Sequence, residues 1–573
     1  GDKWTRAYEE SFGNGESDYV FFPGARARFL RLLCKTSSAG KGYEVALVEV
    51  KSGEEQSTPL REYQAKARNS EPGRFPMWLT RQQEFWTVVG LPQDDQESLL
   101  GETGTFEPFK GAFSVQPFVV VDGKITSWAD VELSQRLEQD YLPIPSASWR
   151  TGGWKMDVTA TAFGRPGAAF TAVRYRMSNA GGKPLSGNLV LAVRPVQLNP
   201  VWQHGGMSRI DFAEYFANAN PAVVRMNQRV GLILPVVPSK VGMSVLKDGD
   251  INDHLTRGSF PDVARLNDSD GKIGVGLVYD LNIPAGESRD IVVVYPLHDA
   301  FELSPAWNTE PAQAFEQKLA ETAAAWKKLL DKLVIDIPEP RLIQTLKSNL
   351  GYVLINRDAP WFKPGSRNYN HSWMRDGALT GVATLRMGRP DLVKAFIENF
   401  SQFVNHDGWV PYIIRENGQP IGYNPNMEGG EGHEFDSQGE FVFIVRQYFD
   451  FTADEALVQS VYPAVVRALQ YGREIRKRRM TDQYRDTVYW GILPPSNSHE
   501  GYYPAKHSYW DDFWMLRGLK DGAYLAETLG HPEDVEWMRE EEKHLRECLL
   551  KSIMAVIRRD NIPYIPGCAE LGD

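Results

Sequence analysis

Along this chain of 573 residues the rhythm of hydrophobic and polar positions changes twice. Over residues 1–52 it is alternation: Tyr19-Val20-Phe21-Phe22, Ala27-Arg28-Phe29-Leu30-Arg31-Leu32 and Tyr43-Glu44-Val45-Ala46-Leu47-Val48-Glu49-Val50, with Gly and Ser between the runs. That pattern predicts strands joined by hairpins. Residues 53–74 are polar and charged and read as a linker. From 75 to 302 strand-type runs dominate, among them Phe118-Val119-Val120-Val121, the stretch 169–177, Leu189-Val190-Leu191-Ala192-Val193 and Ile291-Val292-Val293-Val294-Tyr295. Asp122-Gly123, Ala180-Gly181-Gly182 and Pro284-Ala285-Gly286 separate them as turns. So many strands without alternating helices predict a large antiparallel sandwich rather than a parallel sheet.

After residue 302 the apolar period becomes three to four. Phe315, Leu319, Ala323, Trp326 and Leu330 fall on one side of a helix over 311–333, the core of a helical linker over 303–338. From 339 to 573 helices repeat. Leu342, Leu346, Leu350 and Val353 form one stripe, and Leu392, Phe396, Phe400 and Phe403 another. Further helices are predicted over 375–387, 437–450, 455–478, 510–529 and 533–557. The loops between them alternate between short and long, and the long ones are aromatic and acidic. A helical toroid with its working face on one side would show this arrangement, and so would a plain helical bundle.

Composition narrows the function. Hydrophobic residues make up 42% and charged residues 24%, the balance of a globular protein with several cores. A formal charge of −11 argues against nucleic acid and against an anionic membrane surface, since both need a basic face. No stretch approaches the roughly 20 apolar residues of a membrane span. Cys34, Cys548 and Cys568 give neither a disulfide framework nor a zinc spacing. The 16 Trp, 23 Tyr and 27 Phe stand out, because flat aromatic faces stack on sugar rings, although most aromatics in any protein are core.

Four loops carry the candidate chemistry. The first, 368–377, contains Trp373, Arg375 and Asp376: either a helix-capping pair beside a tryptophan, or charged groups for sugar hydroxyls with an indole over the ring. The second, 407–412, offers Trp409 and Tyr412 as stacking surfaces or as caps on the helical end. The third, 428–439, holds Glu428, Glu431, His433, Glu434 and Asp436 among glycines. Its spacing matches no metal-ligand pattern, no metal or cofactor is assigned, and a solvated acidic loop is the preferred reading. The fourth runs from Trp490 to Trp514 and includes Glu500, Trp510, Asp511 and Asp512. Glycoside hydrolysis needs two carboxyl groups, one of them protonated. Adjacent aspartates beside Trp510 and Trp514 supply the apolar surroundings and like charge that raise a carboxyl pKa. Consecutive helical residues point about 100° apart, so one of the two faces a cleft.

In order along the chain, Trp373-x-Arg375-Asp376, Gly408-Trp409-Val410-Pro411, Asp436-x-x-Gly439 and Trp510-Asp511-Asp512 resemble the motifs of six-hairpin glycosidases of the glucoamylase and trehalase type. The resemblance covers about 313–573 and implies an (α/α)6 barrel preceded by a large β-sandwich. It implies that Arg375 and Asp376 hold the cleaved sugar and that Asp511, directly after the tryptophan, is the general acid, with Asp512 next and Glu500 as the outside candidate. It also implies inversion, and a catalytic base near the end of the barrel. About seven helices are predicted from 341 onward where such barrels have about twelve, so the expectation is a barrel incomplete at its C-terminus with the base beyond Asp573. The runs at 27–32 and 43–50 resemble the last strands of a discoidin-type module, about a third of one. That segment is either a carbohydrate-binding appendage or a structural β remnant.

The leading expectation is a glycoside hydrolase of secreted or periplasmic location with a carbohydrate as its partner. One alternative is a polysaccharide lyase using His499, Tyr502 or Tyr503. The other is a glycan-binding protein without turnover.

Overall fold

The computed structural model describes residues 4–9, 20, 27–35, 42–50, 58–299, 302–421 and 433–572, with 499 and 500 described by backbone alone. Most of the run Tyr19–Phe22, together with Glu428 and Glu431, therefore lies outside the described residues, as does the Glu500 side chain. The chain divides into two compact units, residues 1–91 with 96–327 and residues 92–95 with 328–573.

In the first unit the expected alternation over 27–35 and 42–50 does not become β-structure: the described residues there form no strand. Phe29, Leu32, Leu47 and Val50 are exposed. An alternating run holds as a strand where another apolar surface takes its face, and a hairpin of two such strands alone is marginal in water. The discoidin-like tail is not shown.

From residue 86 the strands appear as the pattern predicts, in one sheet of eight and one of nine, every ladder antiparallel. Ser114–Val121, Leu185–Arg194 and Ile273–Ile283 are neighbours in the first. Trp154–Arg165, Ala168–Asn179 and Ser288–Pro296 occupy the middle of the second. Leu189, Leu191, Val275 and Leu277 from the first join Val158, Val173, Tyr175 and Val293 from the second in one core, so the sheets face each other as a sandwich. Asp122-Gly123 makes its turn with φ of 52° and 74°, the doubly left-handed geometry that suits a tight hairpin.

The central strands read as near-continuous apolar runs because their outer faces are covered too. Helix α1, Pro59–Arg68, packs at one edge of this unit through Tyr63. Helix α2, Pro311–Leu330, lays Ala314 and Phe315 against Phe163, Phe170 and Val292 on the outside of the nine-stranded sheet. Its Thr322 hydroxyl donates to the Ala162 carbonyl at 3.1 Å. The predicted helical linker is thus a packed layer over its length in this unit.

The second unit is helical. Its long helices are α3 (Pro340–Asn356), α4 (Met374–Arg386), α5 (Pro390–Phe400), α6 (Asp436–Thr452), α7 (Glu455–Lys477), α8 (Tyr509–Leu529) and α9 (Pro532–Asp560). These match the predicted spans to within a few residues. On α5 the predicted stripe is the buried one, with Leu392, Phe396 and Phe400 inside. On α3 Leu350 of the predicted stripe is buried, together with Gly351, Leu354 and Ile355, whereas Leu342 is exposed because the first turn of that helix is solvated.

Helix α6 packs against α4, α5, α7 and α8. Its closest crossing is with α8. A Cβ built on Gly439 would lie 1.9 Å from the Trp514 carbonyl oxygen, and one on Gly518 would lie 2.8 Å from the Gly439 Cα. Only glycine permits that approach, and it sets the start of α6 against the first half of α8.

Candidate active site

The four loops are tied to one another in chain order by strand pairing and hydrogen bonds. Ser372–Trp373 pairs antiparallel with Ile413–Ile414, and the Met374 amide donates to the Tyr412 carbonyl at 2.9 Å. The second and third loops meet where the Ser437 hydroxyl donates to the Val410 carbonyl at 3.0 Å. The third and fourth meet where the Asn497 amide donates to the His433 carbonyl at 2.9 Å. Trp373, Trp409, Tyr412 and Ile413 consequently form one buried aromatic cluster, with the Trp373 and Tyr412 rings 6.2 Å apart.

The Arg375 guanidinium lies 5.7 Å from the centre of the Trp373 ring. Its Nη1 donates to Glu434 Oε2 and to Asp436 Oδ2, both at 2.8 Å. Burial works against its charge, but the Asp436 and Glu434 carboxylates outweigh that and raise its pKa. The same Asp436 oxygen accepts from the Trp510 indole Nε1 at 2.9 Å. The third loop is therefore not a solvated acidic loop where it is described. His433, Glu434 and Asp436 are buried, and the two acids answer the buried Arg375 charge. Glycine-rich spacing concealed this, since the partner is some sixty residues earlier in the chain.

Asp511 and Asp512 open α8 and are both fully buried. Asp511 Oδ2 accepts from the Ser496 hydroxyl at 2.5 Å, while its Oδ1 has no partner among the described residues. Burial first, then the neighbouring Asp436 and Asp512 carboxylates, push the Asp511 pKa well above the usual range, against the pull of Ser496 and Ser498. Asp512 turns the other way. Its Oδ1 accepts from the Leu493 amide at 3.0 Å, and the nearby cation is Arg476. Burial lifts its pKa to about 7 despite both.

The structure thus groups Arg375, Asp436, Trp510 and Asp511, with Trp373 beside Arg375, and leaves Asp512 on a separate side. Asp376 is half-buried in the first turn of α4, and Trp409 and Tyr412 belong to the aromatic cluster rather than to an open surface.

One residue of the cluster escaped the sequence reading. Glu440 lies one turn beyond Asp436 on α6, is fully buried, and has neither carboxylate oxygen bonded among the described residues. Burial raises its pKa well above the usual range, and Asp436, Glu434 and Asp511 add to this against Arg375. The available signal was a lone acid followed by Phe441-Val442-Phe443-Ile444-Val445, four residues after Asp436.

No protein-family model and no curated protein matches the chain. Solved structures do. A bacterial glucoamylase complexed with acarbose aligns over 88% of this chain and 72% of its own, at 14% identity and a TM-score of 0.58. The fold is glycoside-hydrolase-like. Weaker matches include a putative kojibiose phosphorylase from human microbiome, over 80% of this chain and 67% of its own at 10% identity and a TM-score of 0.38. A family GH92 alpha-mannosidase from Bacteroides thetaiotaomicron matches over 85% and 65% at 10% identity and a TM-score of 0.31. Among the described residues no helix is long and apolar enough to cross a membrane.

Proposed function

We propose that this chain carries the active site of a glycoside hydrolase acting on an uncharged oligo- or polysaccharide, with Asp511 as general acid. The observation that carries the reading is the position of Asp511: a buried acid with one oxygen held by Ser496 and one without a partner among the described residues, in the cluster of Arg375, Asp436 and Trp510. An acid of this kind holds its proton to higher pH than an exposed carboxyl does, as protonation of a glycosidic oxygen requires. Arg375, fixed by Glu434 and Asp436, together with Asp376 holds the hydroxyls of the cleaved sugar. Trp373 and Trp510 shield its faces, Trp409 and Tyr412 back them, and a second carboxylate directs water for an inverting displacement. Asp511 is closed to solvent in this structure, so donation needs a movement that opens a path to its Oδ1. The helices of the second unit form, on this reading, part of an (α/α)6 barrel, and a secreted or periplasmic setting places the enzyme beside its polymer.

The lyase reading asks for recognition of a uronate, and the Arg375 charge is already answered by the Glu434 and Asp436 carboxylates. The test is a panel of neutral oligosaccharides followed by proton NMR. Products should appear as the inverted anomer, and Asp511→Asn should slow them by about 10²–10⁴-fold, the range for losing a general acid. An unsaturated uronate product would establish the lyase, and binding of glycans without turnover would establish a binding protein.

A further inference from the structure

Glu440 has no part in that scheme, and its position needs a reason. Helix α6 is apolar directly after it, with Phe441, Val442, Ile444 and Val445 all buried, and a fully buried glutamate is the costly choice there. Its register is fixed twice over. The step of four from Asp436 puts both carboxyls on one face of α6. The contact of Gly439 with the Trp514 carbonyl holds that part of the helix against α8, whose first turn carries Asp511. Three acids from two helices, Asp436, Glu440 and Asp511, each keep a buried carboxylate oxygen without a partner among the described residues.

The charges around Glu440 are Asp436 and Glu434 from its own segment, Arg375 from α4 and Asp511 from α8, with Asp512 acting on Asp511. Arg375 is already bonded to Glu434 and Asp436. The flanking helices send their cations elsewhere: Lys394 of α5 to Asp454, and Arg467 and Arg476 of α7 to the Asn405 carbonyl and to Glu541. Nothing in this set stabilises two further anions, so Glu440 and Asp511 cannot both ionise readily.

We propose that Glu440 is a positioning residue for the reaction proposed above, its carboxyl and that of Asp511 sharing protons as one coupled pair. The inference rests on Asp511 being the acid. Once the pair has lost one proton, the species with the proton on Asp511 and the charge on Glu440 remains competent, and repulsion delays loss of the second. Asp511 therefore stays armed to higher pH than it would alone.

The experiment has two arms on the full chain. Infrared difference spectra of the buried carboxyl C=O band, taken across pH, read the pair without any substrate. Wild type should show an Asp511 step, identified by its loss in Asp511→Asn, and Glu440→Gln should lower the midpoint of that step by about one pH unit, the coupling at which two sites titrate together. In the second arm the alkaline limb of kcat/KM should move down by a similar amount in both Glu440→Gln and Glu440→Leu, and return with Glu440→Asp. A change in Glu440→Gln that scales activity equally at all pH, with the Asp511 band unmoved, would overturn the pairing and leave Glu440 a structural residue. If no substrate turns over, the hydrolase reading fails while the infrared arm still decides whether the pair exists.

Discussion

Asp511 and Asp512 share a helical turn and full burial, yet the structure gives them different partners. Asp511 meets two hydroxyl-bearing serines and the Asp436 carboxylate, and Asp512 meets a backbone amide and Arg476. The consequence for stability has a definite sign. Asp512 has a folded pKa of about 7 against 3.8 as its ordinary value, so the folded state holds a proton that the unfolded chain has released. Stability from this group is greatest below pH 4 and falls as pH rises toward 7. The shift corresponds to roughly 4 kcal/mol by pH 8, an order-of-magnitude figure for so buried a group. Asp512→Asn keeps an acceptor for the Leu493 amide and removes the titration. Urea unfolding between pH 4.5 and 8 should show wild type losing stability across that range and the variant losing markedly less. Parallel slopes for the two proteins would mean that Asp512 carries no such penalty.

Elements explain why these residues meet at all. The α6–α8 crossing depends on Gly439, and Gly439→Ala drives a methyl into the Trp514 carbonyl, a backbone atom that cannot swing aside. Gly530 makes a useful contrast: its φ is 76°, but nothing lies within 4 Å of a built Cβ. Gly530→Ala should cost about 1–2 kcal/mol of left-handed strain. Gly439→Ala should exceed it, at about 3 kcal/mol or more, because overpacking forces the helices apart. Thermal unfolding of the two variants, with circular dichroism to confirm the fold, ranks them; equal costs would show that the crossing relaxes freely.

The same crossing marks what was legible in the sequence. Helices α4 to α9 could be read because their apolar stripes follow the helical period, and the sandwich strands because each central run is apolar on both faces. The stripe on α3 was misjudged at Leu342, where periodicity continues but burial does not. Pairings between distant loops leave no periodic trace. The bonds from Arg375 to Glu434 and Asp436 therefore stayed hidden, and a glycine-rich acidic stretch looked solvated. Glu440 was harder still, a single acid whose meaning depends on a helix seventy residues away. The alternation at 27–32 and 43–50 shows the reverse error, because a strand pattern without a surface to cover it yields no strand among the described residues.

At the scale of the whole molecule, charge is the property that separates the rival functions. The chain carries 63 Lys and Arg against 74 Asp and Glu, a formal balance of −11, and on the proposed reading the ionised acids beside the substrate are Glu434 and Asp436. The Arg375 charge is already matched there by two carboxylates, so an incoming uronate finds no free cation at that point and meets like charge that costs several kcal/mol when juxtaposed in an interface. A neutral glycan feels none of this. For an uncharged oligosaccharide kcat/KM should change little with ionic strength. A uronate-bearing analogue of the same linkage should be at least tenfold poorer at low salt and recover in part toward 0.15 M, where the screening length is about 8 Å. Recovery should be partial, because salt screens the approach across the surface but not the buried carboxyls. Steady-state rates for the matched pair of substrates across a salt series measure both effects. A preference for the uronate that weakens with salt would mean that cations recognise the substrate, which reverses the electrostatic argument and places the chain with the lyases.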